Sequence, residues 1–480
     1  MLPNFLMKRV QLTPDRKALQ TSTVTYTFRQ MMQEADLRAR SLYAQGVRSH
    51  ARVALRAPST VDTYLMIQAC LLLQVELVLL NSRLTREEID YQLADAEVSR
   101  IITDDFSFFE GCAIPLIALD DIREGPAVSF PTQMERDATA SIMYTSGTTG
   151  FPKGVRQTYG NHTANAMASV TNLGFLPTDC WLCAMPLFHI SGLSIVMRSL
   201  LYGMPVYLME KFDALKSAQL IQEGTVTIMS VVAPTLRAII EEMEQREWQA
   251  SPKFRLMLAG GGVIPESYIE RANTLNLPII QTYGMTETSS QTATLSREDS
   301  LRKRGAVGKP LFFNDLKVGA SNIPYEHGEI YVRGPHVTPG YIGKFADNSP
   351  LQDGWLATGD LGYFDEEGYL YILDRRKDLI ISGGENIYPA EIEKVLARHE
   401  AIVEAGVCGV PDDRWGEVPA AYIVCDSEVT EEEIIQFCAK HLARYKIPKH
   451  IYFCETLPRN ASNKLLRREL RAWNHSKSNM

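Results

Sequence analysis

Tyr144-Thr-Ser-Gly-Thr-Thr-Gly-Phe-Pro-Lys-Gly154 is the most informative segment of this chain. Glycine permits positive φ and close backbone approach to a ligand, and successive backbone N–H groups in such a turn form a concave site for anions. Hydroxyl groups add donors, and a lysine adds a point charge. The residues that supply these features are Thr145, Ser146, Gly147, Thr148, Thr149, Gly150 and Lys153. Such a loop can grip a polyphosphate, although its composition alone fits an exposed surface loop equally well.

The segment follows residues 138–144, which are typical of a buried strand. It is not a Walker A loop, because the spacing G-x-x-x-x-G-K-[ST] is absent. Helical and strand patterns alternate over residues 1–105 and again over 205–280, and the pattern of residues 159–173 predicts a helix. Helices that alternate with buried strands predict an α/β fold with doubly wound parallel sheets. Residues 305–372, punctuated by Gly and Pro, favour a small antiparallel β unit.

The bulk composition limits the classes of function. A chain of 480 residues holds about two to four folding units. Its formal net charge of −8 gives no electrostatic reason to expect nucleic acid or an anionic membrane surface as a partner. The most apolar window, residues 64–80, contains Gln68, Gln74 and Glu76, so we expect a buried helix and strand rather than a membrane span. The N-terminus has no apolar run long enough for a signal peptide, so we expect a cytoplasmic protein.

A second informative segment, Gln281-Thr-Tyr-Gly-Met-Thr-Glu-Thr288, lies downstream of the first. Together the two segments resemble the strongest signatures of the adenylate-forming superfamily, which contains acyl-CoA synthetases, luciferases and the adenylation domains of peptide synthetases. The resemblance implies that Glu287 binds Mg²⁺, that Thr286 contacts phosphate, and that Tyr283, next to Gly284, stacks on adenine. Mg²⁺ bound to a nucleotide takes only one or two protein oxygens, which one carboxylate can supply.

Further segments extend the resemblance over about residues 20 to 470. By family likeness, the run Gly260, Gly261, Gly262 flanks the adenine, whereas Asp360 and Arg375 hold the ribose. Lys464, in Pro458-Arg-Asn-Ala-Ser-Asn-Lys464, corresponds to the lysine of the adenylation step, with Asn463 where most relatives have glycine.

The charged run Asp374-Arg-Arg-Lys-Asp378 would otherwise be interpreted as a solvated loop, but it resembles the inter-domain hinge of the superfamily. Lys377 would be the hinge residue, and Gly383 and Gly384 would allow close approach of the pantetheine of CoA. The implied fold is a large N-terminal domain of doubly wound α/β subdomains with a small β subdomain, residues 1–374. A small, mobile α+β lid follows, residues 375–480.

The resemblance implies a reaction in two steps. A carboxylate attacks the α-phosphate of Mg-ATP, which gives an acyl-adenylate and pyrophosphate, and the thiol of CoA then displaces AMP. Thr145 and Glu287 would act on the phosphates as catalytic residues, and Lys464 would bridge the carboxylate and the α-phosphate. The expected small molecules are therefore ATP, Mg²⁺, CoA and a carboxylic acid.

Three longer segments resemble the ligases that activate o-succinylbenzoate, an aromatic dicarboxylate of menaquinone biosynthesis. They are residues 186–194, 373–389 and 458–467. We hypothesise that Arg198 and Ser191 bind the carboxylate on the ring, while family likeness places His189 at the channel for the acyl group and CoA. The sequence around His189 alone is also consistent with a histidine packed in a turn. Arg198 lies on an apolar helix, so we expect its charge to be paired with a carboxylate of the protein or of a ligand.

Two other functions remain open from the sequence. One is an aryl- or fatty-acyl-CoA ligase of different specificity, or a domain that loads a carrier protein. The other is a non-catalytic relative that binds nucleotide for regulation; the presence of Glu287, Asp360, Arg375 and Lys464 argues against it. A homodimer is the assembly that we expect.

Overall fold

The computed structural model describes residues 1–123, 125–145, 151–262, 264–320, 322–375, 378–382, 385–412, 415–460 and 464–477. In chain order, its helices are α1 (Phe5–Leu12), α2 (Phe28–Ala44), α3 (Val61–Leu73), α4 (Arg86–Asp95), α5 (Tyr159–Leu173), α6 (Ile190–Tyr202), α7 (Ala214–Glu223), α8 (Ala233–Gln245), α9 (Glu266–Thr274), α10 (Pro389–Leu396), α11 (Glu431–His441) and α12 (Arg467–Lys477).

The strands are, in chain order, β1 (Leu2–Pro3), β2 (Lys17–Gln20), β3 (Thr25–Thr27), β4 (Arg52–Arg56), β5 (Glu76–Leu79), β6 (Arg100–Thr103), β7 (Leu116–Ala118), β8 (Gln133–Met134), β9 (Thr139–Thr145), β10 (Lys153–Thr158), β11 (Trp181–Cys183), β12 (Val206–Leu208), β13 (Ile228–Val231), β14 (Leu256–Ala259), β15 (Ile279–Met285), β16 (Ser290–Thr294), β17 (Lys309–Pro310), β18 (Asp315–Val318), β19 (Gly328–Arg333), β20 (Gly340–Tyr341), β21 (Leu351–Gln352), β22 (Trp355–Phe364), β23 (Leu370–Arg375), β24 (Ile380–Ser382), β25 (Glu385–Ile387), β26 (Ile402–Asp412), β27 (Gly416–Cys425) and β28 (His450–Phe453).

Two large sheets form the body of the N-terminal part. The first has the strand order β20-β10-β9-β5-β4-β6-β7, and it is parallel from β9 to β7. The second has the order β17-β16-β15-β14-β13-β11-β12-β2-β3, and it is parallel from β15 to β2. The α/β alternation in the sequence predicted these parallel sheets, and the prediction is confirmed.

Helices lie between the two sheets and outside them. One continuous buried cluster contains residues of α1, α2, α3 and α6 together with residues of both sheets, so these helices form a shared middle layer. Helices α7, α8 and α9 cover the far side of the second sheet, and α4 covers the far side of the first. Helix α3 is apolar all around because it is enclosed by this layer. No helix in the described part of the chain is both long and apolar enough to cross a bilayer.

Two smaller units complete the chain. A third, antiparallel sheet has the order β18-β19-β22-β21, with β23 paired to β22, and it forms the predicted β subdomain. A fourth sheet, β25-β24-β27-β26 with β28 beside β27, carries α10 and α11 on one face and α12 on the other. The predicted fold class, α/β subdomains with a small α+β unit at the C-terminus, is confirmed. The boundary between residues 374 and 375 stays a prediction.

Candidate active site

The predicted phosphate loop connects β9 to β10, and these strands pair with Thr145 opposite Lys153. Ser146, Gly147, Thr148, Thr149 and Gly150 lie outside the described residues. The loop leaves the carboxyl end of β9 in the parallel part of the sheet, which is the edge where ligands bind in open α/β sheets. The Nζ atom of Lys153 lies 4.9 Å from the ring centroid of Tyr341 and 5.2 Å from that of Phe345, so its charge faces two aromatic rings.

Glu287 lies in a short 3₁₀ turn, Thr286–Thr288, that follows β15. The next residues, Ser289 and Ser290, have positive φ values of 53° and 119°, a strained conformation for residues other than glycine. Two hydrogen bonds fix the backbone of the turn. The Nε2 group of Gln157 donates to the carbonyl of Thr286 at 2.8 Å, and the N–H of Thr338 donates to the carbonyl of Glu287 at 2.7 Å.

The carboxylate of Glu287 forms a hydrogen bond with the side chain of Tyr341. Burial, together with the charge of Glu287, raises the pKa of the Tyr341 hydroxyl, so the hydroxyl stays protonated and donates. Lys153 faces the ring of the same tyrosine. Lys153, predicted to bind phosphate, and Glu287, predicted to bind Mg²⁺, therefore both lie next to Tyr341. No group of three His, Cys, Asp or Glu side chains within the described ranges could hold a metal ion. A single carboxylate nevertheless fits Mg²⁺ that arrives with phosphates and water as its other ligands.

Gln157 and Tyr341 were not among the residues predicted from the sequence. Gln157 is fully buried and lies 129 residues before its partner Thr286, so neither local periodicity nor motif spacing points to this contact. A glutamine in a buried strand is the signal that could have been used, because a buried amide requires hydrogen-bond partners.

The predicted nucleotide residues converge beside this turn. Tyr283 donates its hydroxyl hydrogen to Oδ2 of Asp360 at 2.6 Å. Asp360 is buried and lies opposite Arg375 in the pairing of β22 with β23. The glycines at 260–262 follow β14, which is the parallel neighbour of β15, and Gly261 has φ of +80°. Lys377, Gly383 and Gly384, predicted for the hinge and for CoA, lie outside the described residues.

Gly284 is required by close backbone packing between β15 and β16. A methyl group at this position would lie 1.6 Å from the carbonyl oxygen of Ser290. We expect Gly284→Ala to lower the free energy of unfolding by about 1–3 kcal/mol or more, because the backbone must move to relieve the clash. Urea denaturation checks this. Gly262→Ala is the control, because a methyl group there meets no described atom within 4 Å; an equal loss for both variants would contradict the packing argument.

Lys464 reaches this site from the C-terminal unit. Its N–H donates to Oδ1 of Asn460 at 2.8 Å, and its carbonyl accepts from the N–H of Asn460 at 2.8 Å, so two hydrogen bonds join Lys464 to Asn460. A methyl group on Gly261 would lie 3.7 Å from Cε of Lys464. The lysine side chain therefore lies at the glycine end of β14, beside the predicted nucleotide residues.

His189 precedes α6 and lies near the same lysine. Burial, and then the charges of Lys464 and Arg83, lower the pKa of His189 to about 4, so its imidazole is neutral at neutral pH. Ser191 lies in the first turn of α6, where its carbonyl accepts from the hydroxyl of Ser194 at 3.3 Å.

Arg198 is completely buried on α6, and of the two partners that the sequence left open, a protein carboxylate or a ligand carboxylate, the described residues do not supply the first. Its guanidinium donates to neutral oxygens of Ser194, Asn165, Ser290 and Gln291 at 3.2, 3.1, 3.3 and 3.0 Å. Within the described residues no carboxylate forms an ion pair with it. Amide and hydroxyl oxygens accept from Nη1 and Nη2, whereas the buried Nε has no hydrogen-bond partner among the described residues. The positive charge is also left without a counter-ion there.

Buried histidines give the N-terminal part a distinct pH dependence. Burial lowers the pKa of His189 to about 4, and those of His162 and His336 to about 3. Below about pH 6.5 the unfolded chain binds protons that the folded chain does not, so stability falls as the pH falls. We expect a loss of about 3 kcal/mol in the free energy of unfolding between pH 6.5 and 5.5, measured by urea denaturation.

A matched variant separates this effect from other titrations. Nε2 of His162 lies 2.9 Å from the hydroxyl of Ser141, a contact that a glutamine can reproduce. His162→Gln is expected to remove about a third of the pH-dependent loss, because it removes one of the three histidines. An unchanged slope in this variant would show that other groups cause the loss.

Comparison with known proteins places the chain in a family. A profile described as AMP-binding enzyme matches residues 6–342, and one described as AMP-binding enzyme C-terminal domain matches residues 391–464. A 2-succinylbenzoate–CoA ligase of Bacillus cereus is 47% identical over 476 residues, which cover 98% of each chain.

Solved structures of o-succinylbenzoate CoA synthetase from Bacillus subtilis are similar over the whole chain. The complex with the acyl-adenylate intermediate has a TM-score of 0.92 and 44% identity, covering 98% of both chains. The complex with ATP and magnesium ion has a TM-score of 0.91 and 43% identity, covering 98% of this chain and 99% of the other. With both profiles matched and this similarity extending over nearly its full length, the chain belongs to the AMP-binding enzyme family.

Proposed function

We propose that this chain joins CoA to 2-succinylbenzoate in an ATP-dependent, AMP-forming reaction, as a step of menaquinone biosynthesis. The names and structures of its relatives support the substrate, and the site supports the chemistry. The observation that carries the proposal is the position of Lys464, which extends from the C-terminal unit to Gly261 of the N-terminal part and whose charge contributes to the lowered pKa of His189. A lysine in this position can act on a carboxylate and a phosphate held between the two units.

The first step is formation of the acyl-adenylate. The loop from Thr145 to Lys153 holds the β- and γ-phosphates through its backbone, hydroxyl and ammonium donors, with Thr286 beside it. Glu287 holds Mg²⁺, which when bound neutralises charge on the departing pyrophosphate. Lys464 lies between the substrate carboxylate and the α-phosphate, where negative charge develops during in-line attack.

The nucleoside is held on the other side of the site. Tyr283 covers the adenine, Gly260, Gly261 and Gly262 lie against it, and Asp360 with Arg375 binds the ribose hydroxyls. In the structure the hydroxyl of Tyr283 donates to Asp360, so the aromatic ring is held beside the carboxylate that accepts from the ribose.

The second step requires Lys464 to leave, because the thiol of CoA approaches the carbonyl that the lysine had faced. We propose that the C-terminal unit rotates at Lys377 and presents Gly383 and Gly384 to the pantetheine, a hinge-type motion. His189, neutral at physiological pH, lines the channel between Lys464 and the acyl group. A cytoplasmic location and a homodimer remain predictions from the sequence.

Arg198 and Ser191 bind the ring carboxylate of 2-succinylbenzoate in this proposal. The support is the buried guanidinium of Arg198, which has only neutral acceptors among its described partners. A ligand carboxylate would supply the missing counter-charge and strengthen the binding of an aromatic dicarboxylate over a monocarboxylate.

Arg198→Met tests this assignment. We expect KM for 2-succinylbenzoate to rise by about tenfold or more, since a charge-assisted hydrogen bond contributes about 1.5–3 kcal/mol. The matched control is 3-benzoylpropionate, the same acid without the ring carboxylate, whose KM should change little. Steady-state kinetics with both acids gives the answer. If KM rises by the same factor for both acids, Arg198 has only a structural role.

Pyrophosphate release tests the overall function. The enzyme is incubated with Mg-ATP and a panel of aromatic dicarboxylates, simple aryl acids and fatty acids, with and without CoA. We expect the fastest release with 2-succinylbenzoate, and a thioester only when CoA is added. Faster pyrophosphate release with a fatty or simple aryl acid would be consistent with the proposed two-step mechanism but would refute 2-succinylbenzoate as the substrate. Nucleotide binding without release for any acid would favour a non-catalytic relative.

A further inference from the structure

Arg467, the first residue of α12, lies among three carboxylates. Its Nη2 atom contacts Oε2 of Glu393 at 2.7 Å, and its Nη1 atom contacts Oδ1 of Asp374 at 3.2 Å and Oδ2 of Asp378 at 3.5 Å. The arginine side chain is only 15% exposed, and that of Asp374 only 2%. Charge pairs that are this well shielded from water are screened far less than surface pairs.

Asp374 differs from the other two carboxylates in its position. It lies in β23, which pairs with β22 in the third sheet, and is therefore attached to the N-terminal part. Glu393 lies in α10 and packs with Arg467 within the C-terminal unit. The second oxygen of Asp374 accepts from the N–H of Ala390, in the first turn of α10, at 2.7 Å. One side chain of the β subdomain thus binds the starts of both α10 and α12.

The start of α12 is linked to Lys464 by a short segment that is held by a backbone hydrogen bond. Arg467 follows Lys464 by three residues, and the N–H of Leu466 donates to the carbonyl of Pro458 at 2.9 Å. Leu470, further along α12, is fully buried against the fourth sheet. Because this segment is fixed to α12, a change in the position of Arg467 relative to Asp374 also moves the lysine.

We infer that Asp374 is a positioning residue for the adenylation step: by binding Arg467 and the N–H of Ala390, it holds the C-terminal unit in the orientation that inserts Lys464 into the N-terminal site. This inference rests on the proposed function. The pair joins the two parts of the chain, so it must break when the C-terminal unit rotates for the second step. Asp374 therefore favours the first half-reaction and contributes nothing to the second.

Asp374→Asn tests the inference with little change in shape, since its amide oxygen can still accept from Ala390. The two half-reactions are measured separately: pyrophosphate release from ATP and acid, and thioester formation from synthetic acyl-adenylate and CoA. We expect pyrophosphate release to fall by about tenfold or more, because a charged hydrogen bond is lost. Thioester formation should stay within about twofold of the wild-type rate.

Glu393→Gln is the matched control, because it weakens the same guanidinium's pairing within the C-terminal unit alone. We expect Glu393→Gln to slow both half-reactions by the same factor and to lower the melting temperature. If Asp374→Asn also slows both half-reactions in parallel, its role is structural and the inference is overturned. Wild-type turnover of 2-succinylbenzoate is measured in the same series, so failure of the proposed substrate is recognised independently.

Small-angle X-ray scattering of the unliganded protein supplies a readout that needs no catalysis. The wild-type profile is expected to fit the arrangement described here, and the Asp374→Asn profile to deviate from it as the C-terminal unit leaves this orientation. The Glu393→Gln profile should remain like that of the wild type. Identical profiles for the wild type and Asp374→Asn would overturn the inference even if no acid were turned over.

Discussion

Replacing Lys464 with alanine is expected to slow pyrophosphate release by about 10²–10³, by analogy with the loss of other preorganised donors. The side chain lies beside Gly261 at the end of β14, where it can meet both the carboxylate and the α-phosphate. The rate is measured in single turnover with saturating Mg-ATP and 2-succinylbenzoate. Thioester formation from synthetic acyl-adenylate should be nearly unchanged, because in the proposed mechanism the lysine leaves the site before the thiol attacks.

Lys440→Ala is the control for the loss of a lysine from the same unit, since Lys440 is an exposed residue of α11. Its two half-reactions should match those of the wild type. A Lys464→Ala enzyme that lost both half-reactions equally would argue against a role specific to adenylation. Retained pyrophosphate release would refute its catalytic role.

Replacing Glu287 with glutamine is expected to raise the Mg²⁺ concentration needed for half-maximal pyrophosphate release by at least the roughly 10- to 100-fold loss that follows removal of a group supporting a metal ligand. Glutamine keeps the shape of the side chain and can still accept from Tyr341, but it lacks the negative charge that Mg²⁺ prefers in its ligands. At limiting Mg²⁺ the rate should therefore fall by a similar factor. A Mg²⁺ titration of the initial rate measures both quantities.

Tyr341→Phe provides a graded comparison, because it removes the hydroxyl at Glu287 and keeps a ring that faces Lys153. It should produce a smaller shift in the Mg²⁺ requirement than Glu287→Gln. An unchanged Mg²⁺ requirement in Glu287→Gln would show that other groups hold the metal.

Local patterns in the sequence predicted much of this fold. The periodicity of residues 159–173 predicted a helix, and α5 has these bounds. The apolar window at 64–80 covers most of helix α3 and all of strand β5, as expected. Gln74 and Glu76 lie where the helix ends and the strand begins, whereas Gln68 is buried within the helix. Motif residues were placed near strand ends, which are the ligand-binding edges of parallel sheets.

Contacts between distant segments could not be predicted in this way. The support of the Glu287 turn by Gln157 and Thr338, and the pairing of Arg467 with Asp374, depend on the three-dimensional arrangement of separate units. Arg198 shows the same limit, since the sequence placed it on an apolar helix but could not show that amide and hydroxyl oxygens would surround it.

Strand β20 has a consequence for synthesis of the chain. Its two residues, Gly340 and Tyr341, pair with Arg156 and Val155 and so cover the outer side of β10. During translation, β10 leaves the ribosome long before β20 does, and until then its outer backbone groups can pair with strands of other chains. A fragment that ends before residue 340 would keep this edge open permanently and should aggregate. The outer side of β10 at Val155 and Arg156 is thus covered only late in translation, and until then the nascent chain exposes an unpaired strand edge of the kind that promotes aggregation.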